Sequence, residues 1–427
     1  MKLTVIGGGL AGCEAANAAA NLGVSVDLFE MKPVSFSPAH KTPDLAELIC
    51  SNSLKAERID SAAGLLKEEM RRMGSVMMQA AQTCRVEAGG ALAVDRDLFS
   101  REVTRLIEQN PNITVHRERV DQIPDGMCVI AAGPLCDGKL AEAIQTLCGD
   151  GLSFFDAVAP IVSADSVDLS KAFFASRYGK GGDDYLNCPM NKEQYEAFLD
   201  ALVHAETAPL HEFDQSPKVY EGCMPVEVLA KRGKDAIRFG PLKPVGLVNP
   251  NTGHRPWAAV QLRAENREKT LFNLVGFQTN LKFPEQKRVF SMIPGLEHAE
   301  FMRYGVMHRN TFIDSPRLLS PDLSLKSNSN IFFAGQISGV EGYTESAMCG
   351  ILAGHNAAAK LLGKSPRILP NTTMSGALIR YITDPSVANF QPMGANFGIL
   401  PGLDTEIRDK RLRYAAFSDR ALKEDFT

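Results

Sequence analysis

The first thirty residues constrain this chain more than any other stretch. Leu3-Thr-Val-Ile6 reads as a buried β-strand that runs directly into Gly7-Gly8-Gly9-Leu10-Ala11-Gly12, a G-x-G-x-x-G. An alanine-rich segment, Cys13 to Leu22, reads as a helix, and Val24 to Phe29 as a second strand ending on Glu30. Glycines in this pattern permit a tight turn, a close backbone approach to a pyrophosphate and close helix–strand packing. The helix then presents free N–H groups and a positive dipole end to the phosphates. Glu30 follows the last glycine at close to the ~20 residues usual for a ribose-binding acid. A carboxylate there accepts from a 2′-hydroxyl and repels a 2′-phosphate, so the pattern predicts FAD or NAD bound at Gly7, Gly8, Gly9, Leu10, Ala11, Gly12 and Glu30, not NADP.

Two later segments look like further parts of the same architecture. Cys128-Val-Ile-Ala-Ala-Gly133-Pro134 is a short apolar strand ending in Gly-Pro. Ile331 to Tyr343 is an apolar strand, then a glycine-rich turn, with a small-residue helix expected from about Thr344 to Leu362. The second helix N-terminus marks Gly335, Gln336, Glu341 and Gly342 as further cofactor contacts. The fold class expected is α/β: a Rossmann-like, glutathione-reductase-like FAD-binding domain split in sequence by a mixed α/β insertion. The expected boundaries are 1–153 and 322–427 for the two cofactor parts, the latter with a terminal helix from Glu406 to Asp425, and 154–321 for the insertion. Within the insertion, Lys192 to His204 reads as helix, and Ala258 to Leu262 and Leu271 to Phe277 as extended. Gly240 to Trp257, rich in Pro and Gly, reads as a long loop of the kind often used in function.

Composition narrows the class. Hydrophobic content of 44% and charged content of 22% are those of an ordinary globular protein. No apolar run approaches the ~18 residues of a membrane span, and no secretory leader is expected. Nine cysteines without a C-x-x-C pair point to free thiols in a reducing cytoplasm. The eight histidines show no metal-ligand spacing with them, so no metal is expected. A net charge of −4 argues against a nonspecific nucleic-acid coat but not against a local basic face. Candidates for such a face are Lys231, Arg232, Lys234, Lys282, Lys287, Arg288, Arg303 and Arg309.

Two cysteines stand apart. Cys50 lies where the helical pattern of Glu47-Leu-Ile-Cys50 breaks into Ser-Asn-Ser53. Cys223 lies in Tyr220-Glu-Gly-Cys223-Met-Pro225-Val-Glu227, on a bend between Gly and Pro, with Lys231, Arg232 and Lys234 following. A bend presents a thiol to a pocket, and nearby cations favour its thiolate. On residue chemistry alone, either is a catalytic candidate or a structural thiol.

At these residues the chain closely resembles the TrmFO family, the folate- and FAD-dependent tRNA uracil-5-methyltransferases, over nearly its whole length to about Leu403. The motifs are Glu47–Leu54, Ala88–Arg96, Tyr220–Glu227, Phe239–Gly246, Arg303–Thr311 and Phe333–Tyr343. The resemblance implies methylation of C5 of a uridine in tRNA, in the T loop. Methylenetetrahydrofolate is the one-carbon donor, FAD the carrier and reductant, and NADPH or NADH restores the flavin. It places the family's two cysteines on Cys50 and Cys223, with Cys223 taken as the nucleophile at uracil C6 and Cys50 on the flavin side. Two positions depart from the family's pattern: Asn280 where His is common, and Phe283 where Trp is common. Phe283 still offers a ring to a pterin or a base. Two alternatives stay open: the same chemistry on a ribosomal RNA uridine, and a FAD-dependent small-molecule oxidoreductase. The latter normally carries a close cysteine pair, absent here.

Overall fold

A computed structural model of the chain describes residues 2–149, 152–209 and 224–426. Strand β1 (Lys2–Ile6), helix α1 (Leu10–Asn21) and strand β2 (Ser25–Phe29) form the expected β–α–β unit. The main sheet has six strands, in the order 324–325, 328–333, 128–130, β1, β2, 113–116. All neighbours are parallel except the edge pair 324–325 and 328–333. Apart from that edge strand, this is the doubly wound order, with its reversal between β1 and strand 128–130. A crevice opens at such a reversal, beyond the carboxyl ends of the strands.

The alanines of α1 serve a close helix crossing. Helix Tyr343–Leu361 lies against α1, with Gly350 and Gly354 facing the backbone of Ala11 and Ala15. A β-carbon at either glycine would collide with those carbonyls, so this pair cannot cross with larger residues. The expected helix to Leu362 is thus present and packed by its smallest side chains.

The central part of the chain builds a second, antiparallel sheet of six strands, in the order 173–174, 185–190, 258–264, 271–274, 161–163, 301–303. Its own core includes Leu186, Met190, Phe198, Phe277 and Phe290. Helix Lys192–Val203 lies at the expected place, opened by a capping box of Asn191 and Gln194. Strands Leu152–Ala157 and Met307–Phe312 pair antiparallel, where the chain passes out to this sheet and returns. Residues 240–257 form the expected loop without strand or helix. The terminal helix is shorter than expected, Lys410–Ala421, and is capped by Asp409.

Candidate functional site

One cleft of about 450 Å3 opens at the reversal of strand order. Its floor comes from the ends of four parallel strands: Gly7 and Gly9 after β1, Glu30 and Lys32 after β2, Ala131 to Pro134, and Ala334 to Gln336. The residues of the G-x-G-x-x-G divide by role. A β-carbon on Gly12 would collide with the carbonyl of Gly7, and Gly7 itself has φ +103 against Ala131. These two glycines are demanded by the fold. Gly8 faces Leu45 and Glu30 and does not line the cleft. Gly9 is different: a β-carbon there meets nothing within 4 Å. It caps α1 at the cleft wall, beside Leu10 and Ala11, so the free space next to an exposed helix N-terminus is what a pyrophosphate needs. The Glu30 carboxylate accepts from Gly8 N at 2.8 Å and Lys32 N at 2.9 Å, which fixes it at the cleft's edge. These residues fit a dinucleotide with free ribose hydroxyls.

The second predicted cradle faces the first. Gly335 (φ +84) packs against Ala11 and Gly342 (φ +113) against Glu345 and Lys55, leaving no room for side chains. Gln336 donates to Glu341 at 2.6 Å. Glu345, buried at the start of helix Tyr343–Leu361, pairs with Lys55 at 2.8 Å. Burial alone would raise its carboxyl, but Lys55, Ala395 N–H and Thr344 hold it below the ordinary value.

Cys50 lies in the same cleft. No helix precedes it: residues 41–52 are irregular, in contrast to the helical pattern read there. The reason is local. The Glu47 carboxylate accepts from Lys41 N and Thr42 N and pairs with Lys32 at 3.3 Å, so side-chain bonds hold the backbone in turns. Cys50 N and Ser51 N both donate to the Tyr343 hydroxyl, at 2.7 and 3.2 Å. A hydroxyl accepts two bonds and donates one. Its acceptor capacity is filled, so its proton faces Cys50 Sγ at 3.0 Å. Burial, then the Cys50 thiol, push the Tyr343 hydroxyl well above its ordinary range, so it remains a donor.

Guanidinium groups surround this point. Arg96 donates to the carbonyls of Leu48 and Ile49 at 2.7 and 3.0 Å and to Glu265. Arg263 donates to Ser51 Oγ and Asn52 Oδ1, each at 2.8 Å. Arg96, Arg263 and Arg303 all interact electrostatically with Cys50. His308 also lines the cleft, with a buried Nε2 that has no partner among the described residues. Burial first, then Arg303 and His40, lower its pKa. Residue-type reasoning did not single out Tyr343, Arg96, Arg263 or His308 as functional. Tyr343, Arg96 and His308 lie inside quoted motifs and Arg263 just past the extended run Ala258 to Leu262, but their partners come from distant segments.

Cys223 lies outside the described residues. The segment just after it is tied to the cleft: Val226 N donates to the carbonyl of Gln278, itself a lining residue, at 2.7 Å. Buried Glu227 accepts from Asn280 N at 2.7 Å and Thr279 Oγ1 at 2.8 Å. Cys13 and Cys128 are core thiols, and burial pushes Cys128 up to about 12.

Two cations of the expected basic face are ion-paired. Lys282 pairs with Glu206 at 2.6 Å, and Arg288 makes two bonds to Glu285. Arg303 is half-buried near Arg96, and the Arg309 side chain lies outside the description. Asn280 donates to Ala208 O, and Phe283 ends a stack with Tyr304 (4.7 Å) and Phe301 (5.2 Å beyond).

Comparisons with known proteins agree with this geometry. Residues 2–365 match the family described as glucose inhibited division protein A. The chain is 58% identical, over 423 residues, to a protein of Acetivibrio thermocellus named methylenetetrahydrofolate–tRNA-(uracil-5-)-methyltransferase TrmFO, covering 99% of this chain and 97% of that one. A Geobacter sulfurreducens protein of the same name is 57% identical over 424 residues, with 99% and 97% covered. Among solved structures, Aquifex aeolicus GidA superposes with a TM-score of 0.70 at 17% identity, covering 99% of this chain and 72% of that one, which shows a shared fold.

Proposed function

The chain belongs to the TrmFO family of methylenetetrahydrofolate–tRNA-(uracil-5-)-methyltransferases, and from that premise we propose that it methylates C5 of a uridine in the tRNA T loop. The observation that carries the reading is the shared cleft: a dinucleotide cradle at Gly9 and Glu30 and a hydrogen-bonded thiol at Cys50 line one cavity. FAD, when bound, supplies the carrier and the reductant for the one-carbon unit that methylenetetrahydrofolate brings. A reduced nicotinamide, NADPH or NADH, restores it. The described cysteines form no disulfide with one another, which suits a reducing cytoplasm. No described helix is long and apolar enough to cross a membrane.

The residues of the chain do the rest. The α1 N-terminus and Gly9 would hold the pyrophosphate, and Glu30 would accept from the ribose. Uracil C5 is a poor nucleophile until a thiolate adds at C6 and leaves electron density on C5. We assign that addition to Cys223. C5 then bonds to the one-carbon unit and gives up its proton to a base, and a hydride from the reductant completes the methyl group as the thiolate departs from C6. Cys50, held by Tyr343 and faced by three arginines, stands on the flavin side. There it excludes water from the reactive face or moves the C5 proton. The target base must leave its stack to reach the cleft.

The test uses the FAD-bound protein, NADPH, methylene-labelled methylenetetrahydrofolate and an unmodified tRNA transcript. Label should enter one T-loop uridine. A transcript with 5-fluorouridine there should be trapped covalently, with the peptide map ending on Cys223. Label in no tRNA would overturn the function, and attachment at Cys50 would reverse the cysteine assignment.

A further inference from the structure

We propose that Tyr178, flanked by Lys180 and Lys243 and backed by Arg177, is a docking point for the RNA substrate on the second sheet, taking one nucleobase by stacking and its neighbouring phosphates by charge. The proposal rests on the RNA-substrate reading above.

Tyr178 has φ 62 and ψ 21, the left-handed region that a β-carbon disfavours. The residue is 55% exposed, so the strain is not compensated by core packing. Strain of this kind collects at ligand sites. Lys180 Nζ lies 5.8 Å and Lys243 Nζ 5.9 Å from the ring centroid. Neither lysine has a carboxylate within ion-pair distance among the described residues, in contrast to the paired Lys282 and Arg288.

Two segments distant in sequence are fitted to each other here. Tyr178 N donates to Gly246 O at 2.9 Å. Gly246 has φ +87, and a β-carbon on it would sit 2.9 Å from the Tyr178 ring. Only glycine lets the loop 240–257 run beneath this side chain and bring Lys243 alongside it. Among the described residues, the neighbouring Arg177 has no partner for its buried Nε, its bond to Pro241 O is long at 3.4 Å, and buried Ser176 Oγ has no partner. Two ammonium groups beside an exposed ring suit the anionic oxygens that flank a stacked base.

The patch is built on the framework of the cleft. Pro241 packs on Gly276, two residues before the cleft-lining Gln278. On the other side Asp184 accepts from Gly89 N at 2.6 Å, and Tyr185 pairs in register with Arg263, which holds Ser51 beside Cys50. A base stacked on Tyr178 would thus sit beside the sheet whose Arg263 holds Ser51, next to the thiol. Single-stranded RNA is bound in this way, by aromatic faces for bases and cations for the backbone.

The test is equilibrium binding of an unmodified tRNA transcript to the FAD-bound protein across a series of KCl concentrations. Tyr178→Gly removes the ring and relieves the backbone, so the fold should be no less stable. It should bind about tenfold more weakly with the salt slope unchanged. Tyr178→Phe should bind as the wild type does. Lys180→Glu with Lys243→Glu should flatten the salt slope by about 2. Flavin absorbance should persist in all three. Wild-type affinity in Tyr178→Gly and an unchanged slope in the double variant would overturn the docking point. No tRNA binding by the wild type would instead overturn the RNA reading, and the docking point with it.

Discussion

Gly9→Glu should abolish flavin retention while leaving the fold intact. Gly9 has φ −73 and ψ −172, which any residue adopts, and a β-carbon meets nothing within 4 Å. Replacing an N-cap glycine costs up to about 1 kcal/mol. A carboxylate at the positive end of the α1 dipole returns about 0.3–1 kcal/mol. The apoprotein should therefore be destabilised by less than about 1 kcal/mol. Binding is another matter, because the new carboxylate fills the pyrophosphate's place and repels it. At FAD a hundredfold above its Kd, the wild type gains ~2.7 kcal/mol. For 427 residues, at roughly 2.1 cal/mol/K of unfolding entropy each, that is a rise in melting temperature of about 3 °C. The variant should show no rise, and its purified form no absorbance near 450 nm, on the order of a flavin's visible band. Gly12→Ala is the contrasting control: its β-carbon strikes the Gly7 carbonyl, so it should fail to fold. A yellow Gly9→Glu with full occupancy would refute the placement of the pyrophosphate. An apoprotein as damaged as Gly12→Ala would refute the division of the glycines by role.

Tyr343→Phe leaves the N–H groups of Cys50 and Ser51 without their acceptor, at about 1–3 kcal/mol for a buried donor. Label transfer to tRNA should fall at least about tenfold while flavin stays bound, and wild-type turnover would remove Tyr343 from the site. Gly354→Val forces the α1 crossing apart at Ala15 and should lower the melting temperature or prevent soluble expression, overpacking of this kind costing about 1–3 kcal/mol or more. Stability should also depend on pH through Glu14 and Glu69, whose carboxyls burial raises from 4.5 to about 7. Protons held in the folded but not the unfolded state stabilise fully below 4.5, and that contribution is lost as pH rises through about 7. It amounts to roughly 3 kcal/mol for each group at most. Melting temperature should fall across that window and less steeply in Glu69→Gln; a rise would contradict the burial argument.

Local sequence was sufficient for the cofactor unit because its determinants are local. A strand, a turn of glycines, a helix and an acid follow one another within thirty residues, and each backbone need is met by a neighbour in the chain. The same holds for the Gly335–Gly342 turn and for helix Lys192–Val203 with its capping box. The surroundings of Cys50 were not legible in this way. Its hydroxyl partner comes from residue 343, and its guanidinium neighbours from Arg96, Arg263 and Arg303. The irregular segment before it follows from the bonds Glu47 makes to the backbone and to Lys32. A run of lysines and arginines reads as a cationic face until folding sets carboxylates against it, as Glu206 does for Lys282 and Glu285 for Arg288. The sequence by itself determined which residues can turn, cradle a phosphate or act as nucleophiles, since those are properties of single side chains and short backbone runs. Which thiol meets which hydroxyl, and which cation remains unpaired, was decided by tertiary structure, because charge pairing and hydrogen bonding depend on distances between segments that only the packed chain sets.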